Sequence, residues 1–316
     1  MPRVIATADT DTIELGDLIE LLETGRFDPD DEECFASFGP ALKKLGNNRR
    51  FLTDIVVEEL KTRCHNQTRD NQYSPQVIML HARGSFYALR ANFWPALADS
   101  VVRNSGTDPF FYGVPHDHNF SFLTVGYLGP GYWSDYYEYD HASVDGYADE
   151  PVALRFVEKS RLEQGKVMLY RAHRDVHNQL PADATSISLN ILGSSPGYHF
   201  RNQYRFDLER GRIGGILNRM ALEPLIALAA HYGGDAGRDL IETFADRHPS
   251  DRVRFMAVKA RAACTGGVGE RIAAYERAAK GSNRFVSKMA SAEARKLEQC
   301  REWIGASPAL GQPSPV

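Results

Sequence analysis

The chain has 316 residues, 43% apolar and 25% charged, with a formal net charge of −4. That length can bury one large core or two modest ones, and the composition is that of a globular protein. A charge so near balance gives no electrostatic case for nucleic acid or an anionic membrane, and no stretch approaches the roughly 18 apolar residues of a membrane span.

The opening "MPRVIATADTDTIELG" holds no apolar run of signal-peptide length. The four cysteines, Cys34, Cys64, Cys264 and Cys300, are far apart and form no CxxC pair. Both features set the expectation of a cytoplasmic protein with reduced thiols. Residues 1–72 read as a helical region. In "TIELGDLIELLETGRF" the apolar Ile13, Leu18, Ile19, Leu21 and Leu22 lie close to one helical face, and Gly25 is the stop. "DPDDEECFASFGPALKKLG" opens on Asp28 and Pro29, a cap followed by proline, with acidic residues suited to the first turn. "RRFLTDIVVEELKTRC" is a third amphipathic segment.

Across residues 73–212 the period changes from helical to alternating. "QVIMLHARGSFYALRANFWP" reads as two strands about a hairpin turn at Arg83-Gly84. "FSFLTVGYL", the turn Gly129 to Gly131, "YWSDYYEYD", "VALRFVEKS", "KVMLYRA", "TSISLNIL" and "QYRFDLE" follow. Short strands with Gly, Pro and Asp punctuation suggest an antiparallel sandwich or barrel, and the missing crossover helices disfavour a parallel sheet. Residues 213–303 return to short Ala-rich helices, which fit a HEAT-like pair of repeats or a small bundle equally. The tail, residues 304–316, is expected to be disordered.

The chemistry concentrates in "GVPHDHNFSFLTVGYLGPGY". Alternate side chains of a strand share a face, so His116 and His118 aim both imidazoles one way. A third donor must come from a neighbouring strand. His177 is the best candidate, because it follows a turn and a strand and precedes another; His173 competes if one strand runs through both. Asp117 and Asp175 are the nearby candidates to satisfy second ring nitrogens, although Asp117 should point to the opposite face and cap a turn. Phe120, Phe122 and Thr124 continue the alternation and should face the interior. Tyr127, Tyr132, Trp133, Tyr136, Tyr137 and Tyr139 form a dense aromatic patch, from which Tyr127 and Tyr137 are taken as substrate wall. Arg90 and Arg171 are candidate anchors for an anionic substrate, since guanidinium matches carboxylate in a planar fork.

These residues make the segment from Gln76 to Asp207 resemble a cupin. The first cupin motif reads Gly113, His116, His118 and Gly126; the second reads the turn Glu163-Gln164-Gly165, then His177 and Asn190. Two departures stand out. "NFSFLTVG" has no acid where a glutamate ligand would stand, and the gap from Gly165 to His177 is long. A three-histidine site without a carboxylate is similar to that of the thiol dioxygenases of the cysteine type. "PHDH", "SISLNIL" with "GSSPGYHFRNQYRFD", and Arg90 in "YALRANF" are the local matches, while the helical flanks are extra to that family.

The resemblance implies an α+β chain: a jelly-roll β-sandwich or barrel flanked by helical N-terminal and C-terminal regions. It implies Fe(II), or another divalent metal, on His116, His118 and His177, with dioxygen as cosubstrate. Arg90 would hold the substrate, and Tyr198 and Tyr204 would act beside it in catalysis. The expected function is a mononuclear non-haem iron oxygenase acting on a small polar substrate such as a thiol or amino-acid derivative. It would be independent of 2-oxoglutarate, because the histidine pair offers no HxD: two residues after His116 stands His118, and two after His118 stands Phe120. The alternatives are a non-catalytic metal-binding sensor whose C-terminal helices recruit a protein partner, and a metal-dependent isomerase or hydrolase on the same scaffold. Pairing into a homodimer is expected from the cupin likeness.

Overall fold

A computed structural model describes residues 2–71, 73, 76–81, 86–195 and 197–305. The turn read at Arg83-Gly84 and most of the C-terminal tail lie outside the described residues. The chain divides into two compact units, one of residues up to 144 together with 151–217, the other of 145–150 together with 218 onward.

The first unit carries the strands β1 (Arg3–Ile5), β2 (Val77–His81), β3 (Tyr87–Trp94), β4 (Phe122–Leu128), β5 (Trp133–Glu138), β6 (Arg155–Arg161), β7 (Val167–Tyr170), β8 (Asp175–Leu180), β9 (Ser186–Gly193), β10 (Tyr204–Asp207) and β11 (Arg212–Ile216). They form a six-stranded sheet in the order β1-β7-β4-β9-β3-β2, a three-stranded sheet β6-β5-β8 and a two-stranded ribbon β10-β11. Every named pair is antiparallel. The architecture is α+β, with antiparallel sheets between helical stretches. The expected closed jelly roll is not formed. No sheet among the described residues closes, because isolated bridges such as Ala96–Ala182 and Tyr112–Gln179 stand where continuous ladders would be needed.

The pleat of the large sheet decides what each face holds. Odd-numbered residues Leu89, Ala91, Leu123, Val125, Leu169, Leu189 and Ile191 pack on the N-terminal helices in one core. Even-numbered Trp94, Phe122, Met168, Tyr170 and Leu192 turn the other way and pack with Tyr132 and Tyr136 in a second core. The helices contribute apolar faces at helical spacing: Leu18 and Leu22 from Leu15–Thr24, Leu42 and Leu45 from Gly39–Asn47, Phe51 and Leu52 from Phe51–Lys61.

One expected helix is two. Helix Glu32–Ser37 is capped by the carboxylate of Asp31, which accepts from the backbone N–H of Glu33 and Cys34, so the cap is Asp31 and not Asp28. A second helix restarts at Gly39–Asn47 because Pro40 sits in its first turn, where its missing N–H costs nothing.

The second unit is helical: Leu222–Tyr232, Gly234–Arg247, Asp251–Ala263, Val268–Ala279, Arg284–Gln299 and Arg301–Gly305. One of its cores gathers Met220, Ile226, Ile241, Val253, Met256, Ala257 and Ala260. Ser250 and Asn283 cap two of its helices by accepting from Val253 N–H and Val286 N–H. No helix among the described residues is long and apolar enough to cross a membrane.

Two glycines give opposite expectations for alanine. Gly131, after the β4–β5 turn, has φ +85°, and a Cβ there would run into the carbonyl of Leu162. Gly16 sits in a helix with nothing near a built Cβ. Gly16→Ala should therefore stabilise by about 0.5–1 kcal/mol. Gly131→Ala should destabilise by about 2 kcal/mol or more. Urea unfolding of both variants checks the pair, and equal effects would show that the turn is misplaced.

Candidate metal centre

The short extended segment 115–118 is held on both sides by backbone. His116 N–H donates to the carbonyl of His177 and His177 N–H donates back to that of His116, each at 3.0 Å. On the other side Asp117 N–H donates to Tyr204 O at 3.2 Å, and Phe206 N–H to Pro115 O at 2.9 Å. His118 O accepts from His173 N–H at 2.9 Å. The pleat therefore sends His116 and His118 to one side and Asp117 to the other.

On the histidine side three imidazoles converge. Nε2 of His177 lies 3.0 Å from Nε2 of His118 and 3.1 Å from Nε2 of His116. All three residues are buried, at 3%, 8% and 2% exposure for His116, His118 and His177. His116 Nδ1 donates to Val114 O at 2.7 Å, which leaves the lone pair on Nε2. Burial is the main force pushing all three pKa values down, and mutual repulsion lowers His118 and His177 further. The rings are thus neutral near pH 7, the form that ligates metal. Crowded lone pairs in a dry site repel unless a proton or a cation lies between them. An ion bonding at about 2.1 Å can bridge nitrogens up to about 4.2 Å apart, so the observed separations fit a shared ion. Among the described residues this is the one cluster of three His, Cys, Asp or Glu side chains able to hold a metal.

On the far side Asp117 is fully buried. Its carboxylate accepts from Tyr139 O–H at 2.7 Å and Tyr204 N–H at 2.6 Å, with His173 Nδ1 at 3.5 Å. His173 sits in the turn before β8 at φ +56° and lies against His141, ring centroids 4.2 Å apart, so it does not join the trio. Neither expected carboxylate reaches a ligand ring: Asp117 faces away, and Asp175 is taken by Arg171. The Nδ1 atoms of His118 and His177 have no partner among the described residues.

The trio opens into a cavity of about 240 Å³. Arg90, Phe120 and Phe122 line it, as does Tyr132 from the aromatic patch. Other predicted site residues lie elsewhere. Tyr127 has odd parity on β4, faces the helices, and donates its hydroxyl to Asn48 O at 3.0 Å. Arg171 pairs with Asp175 at 2.7 Å and Glu138 at 3.1 Å and lines a separate cleft. Tyr137 packs on Phe156, ring centroids 5.4 Å apart. Tyr198 opens a single 3₁₀ turn with its ring 6.5 Å from that of Phe120, and Tyr204 packs beside Phe206 and His141. Neither tyrosine lines the cavity.

The lining also includes residues that the sequence reading passed over: Gln76, Asn92, Trp94 and Gln179. Asn92 carried a usable signal. It is polar inside an apolar strand and stands two residues after Arg90, hence on the same face. Among the described residues no acidic side chain lines the cavity.

No family model matches the sequence, and no curated protein matches it. Comparison with solved structures finds faint likenesses. A crystal structure of the DMSP lyases RdDddP and RnDddQII aligns with a TM-score of 0.25 and 10% identity, over 42% of this chain and 52% of that one. Vicilin from hazelnut, Corylus avellana, aligns with a TM-score of 0.21 and 11% identity, over 44% and 34%. Prolyl 4-hydroxylase from Phytophthora capsici aligns with a TM-score of 0.23 and 11% identity, over 90% and 83%. The chain thus matches about half the length of the lyase and about a third of that of vicilin. Likenesses this faint assign neither an activity nor a ligand.

Proposed function

We propose that the protein is a mononuclear metalloenzyme, with iron(II) held by His116, His118 and His177, that oxidises a small anionic substrate with dioxygen and without 2-oxoglutarate. The observation that carries the reading is the convergence of three buried, neutral Nε2 atoms at 3.0–3.1 Å. The choice of iron rests on the resemblance of the HxH and His177 segments to three-histidine cupins. When bound, a divalent ion there supplies Lewis acidity and, as iron, redox chemistry with dioxygen.

The chain's own residues define the rest. Three neutral donors leave the ion's charge uncompensated, and no acidic side chain among the described residues lines the cavity to offset it. Arg90 adds a guanidinium to the same space, partly held by a cation–π contact with Tyr73 at 4.9 Å. A carboxylate entering there meets positive charge from both sides. Phe120, Phe122 and Trp94 exclude water around the reacting end, which strengthens each polar contact. Tyr132 keeps its phenol proton, because burial pushes its pKa up, so it is a donor at neutral pH.

Three histidines also suit zinc, and a zinc hydrolase or isomerase would use the same nitrogens. Metal analysis of the purified chain with substrate-dependent dioxygen uptake separates the two. Iron near one per chain with uptake supports the oxygenase; zinc without uptake overturns it. His177→Ala should weaken metal binding by on the order of 100-fold or more, a larger loss than outer-shell changes produce. Unchanged metal content in that variant would remove His177 from the site.

Acid should act on the metal-free protein in a set direction. The three histidines have folded-state pKa values below their unfolded value near 6.5. The unfolded chain therefore binds more protons than the folded one as pH falls through about 6.5 and below. Stability should be fully present above that value and fall by up to about 1.4 kcal/mol per pH unit for each such histidine, until the folded pKa values are reached. Urea unfolding of metal-free wild type and His177→Gln between pH 7.5 and 5.5 reads it. The variant should show a slope shallower by about one histidine, and identical slopes would contradict the burial assigned to this ring.

A further inference from the structure

The floor of the cavity carries polar atoms with no partner among the described residues. Nε of Arg90, Oδ1 of Asn92, Oδ1 of Asn190 and Nε2 of Gln76 are buried and unmatched among the described residues. All four side chains line the cavity. Register sets them together: Arg90 on β3 lies directly opposite Asn190 on β9, and Asn92 follows one pleat along. Asn190 already donates through Nδ2 to Thr124 Oγ1 at 2.7 Å, so its oxygen is the end left to accept. Asn92 and Asn190 are only 6% and 4% exposed, so bulk water does not satisfy them.

A buried amide oxygen without a donor is destabilising, and folded chains rarely keep one. Two such acceptors beside two unmatched donors describe a complementary molecule. Its acceptor end belongs at Arg90 and Gln76. Its donor end belongs at Asn92 and Asn190. A cavity of about 240 Å³ has the volume of about eight waters, which limits the occupant to roughly ten non-hydrogen atoms.

We propose that Asn92 and Asn190 are specificity-determining residues that select a small carboxylate bearing a hydroxyl or amino donor on its carbon skeleton. The inference deepens the proposed function and rests on it for what happens to the substrate, while the recognition itself needs only the sheet floor.

The test uses three matched probes, propionate, lactate and alanine, titrated into the full chain by ligand-observed NMR, both metal-loaded and chelator-treated. Lactate or alanine should bind about ten-fold or more tighter than propionate in both states. Asn92→Leu and Asn190→Leu should each bring that ratio towards one while leaving propionate affinity and metal content unchanged. Chelation of the ion by the probes would survive both substitutions, so the variants separate it from recognition by the amides. Should Asn190→Leu not fold, because Thr124 loses its donor, Asn92→Leu decides alone. Equal affinity for the three probes, binding of none, or a ratio unmoved in Asn92→Leu overturns the inference and leaves ordered water as the partner of the amides. A chain that takes up no metal but keeps the ratio overturns the proposed function and leaves this inference standing.

Discussion

The two reciprocal backbone bonds between His116 and His177 are the constraint on which the site depends. Segment 115–118 joins its neighbours through isolated bridges at His116 and belongs to no named strand, and alternation alone would give two imidazoles with no third. The pairing brings together residues 61 apart in sequence and makes their pleats coincide. A slip of one residue would turn both histidines out and drive the Asp117 carboxylate into an aromatic cavity. Asp117 itself resists that slip. Its oxygens have donors only on the far side, from Tyr139 O–H and Tyr204 N–H, and a buried carboxylate stripped of donors is strongly unfavourable. The residue between the two histidines thus locks their register without joining the trio.

The large sheet extends the same logic. One parity of β3, β4, β7 and β9 belongs to the helix-side core and the other to the cavity side. A core of Leu, Ile, Val and Ala on the first face supplies burial that does not depend on the second. The second face can then carry Arg90, Asn92, Thr124, Ser188 and Asn190 in the middle of an otherwise apolar sheet. Some of these are matched within the fold, as where Trp94 Nε1–H donates to Ser188 Oγ at 3.0 Å. The atoms left without a partner among the described residues, on Arg90, Asn92 and Asn190, gather where the cavity is.

Much of this is legible in the sequence wherever the information is local. The HxH spacing, the strand after the Gly165 turn and the absent acid at "NFSF" identify the trio, because pleat parity needs only neighbouring residues. Parity also places Tyr127 opposite the histidines, and the density of tyrosines around it obscures a signal that was present. The restart at Gly39-Pro40 is similarly local. What resists reading is set by pairing between distant segments. Whether the ladders close into a barrel, which cleft Arg171 enters, and that Tyr204 supports Asp117 all depend on contacts with no local pattern. The departure from a jelly roll belongs to this class, since strand propensity does not say where ladders stop.

Charge is the last step that ties the cavity to its ligand. Neutral imidazoles, a buried guanidinium edge and aromatic walls make a space to which no described residue brings a negative charge. A divalent ion on the three nitrogens would raise that space by two positive charges in surroundings that screen poorly. Isolated charge in such a medium is costly, so the fold with its ion would be incomplete until an anion enters. The usual arrangement, in which a protein carboxylate balances part of the ion's charge, is missing here because Phe120 and Phe122 occupy the parity where an acid would stand. Under the proposed function the balancing charge would arrive with the substrate. Affinity for an anion would then be a consequence of ligand chemistry, and the amide oxygens of Asn92 and Asn190 would add selection among anions that the ion and Arg90 alone would not distinguish.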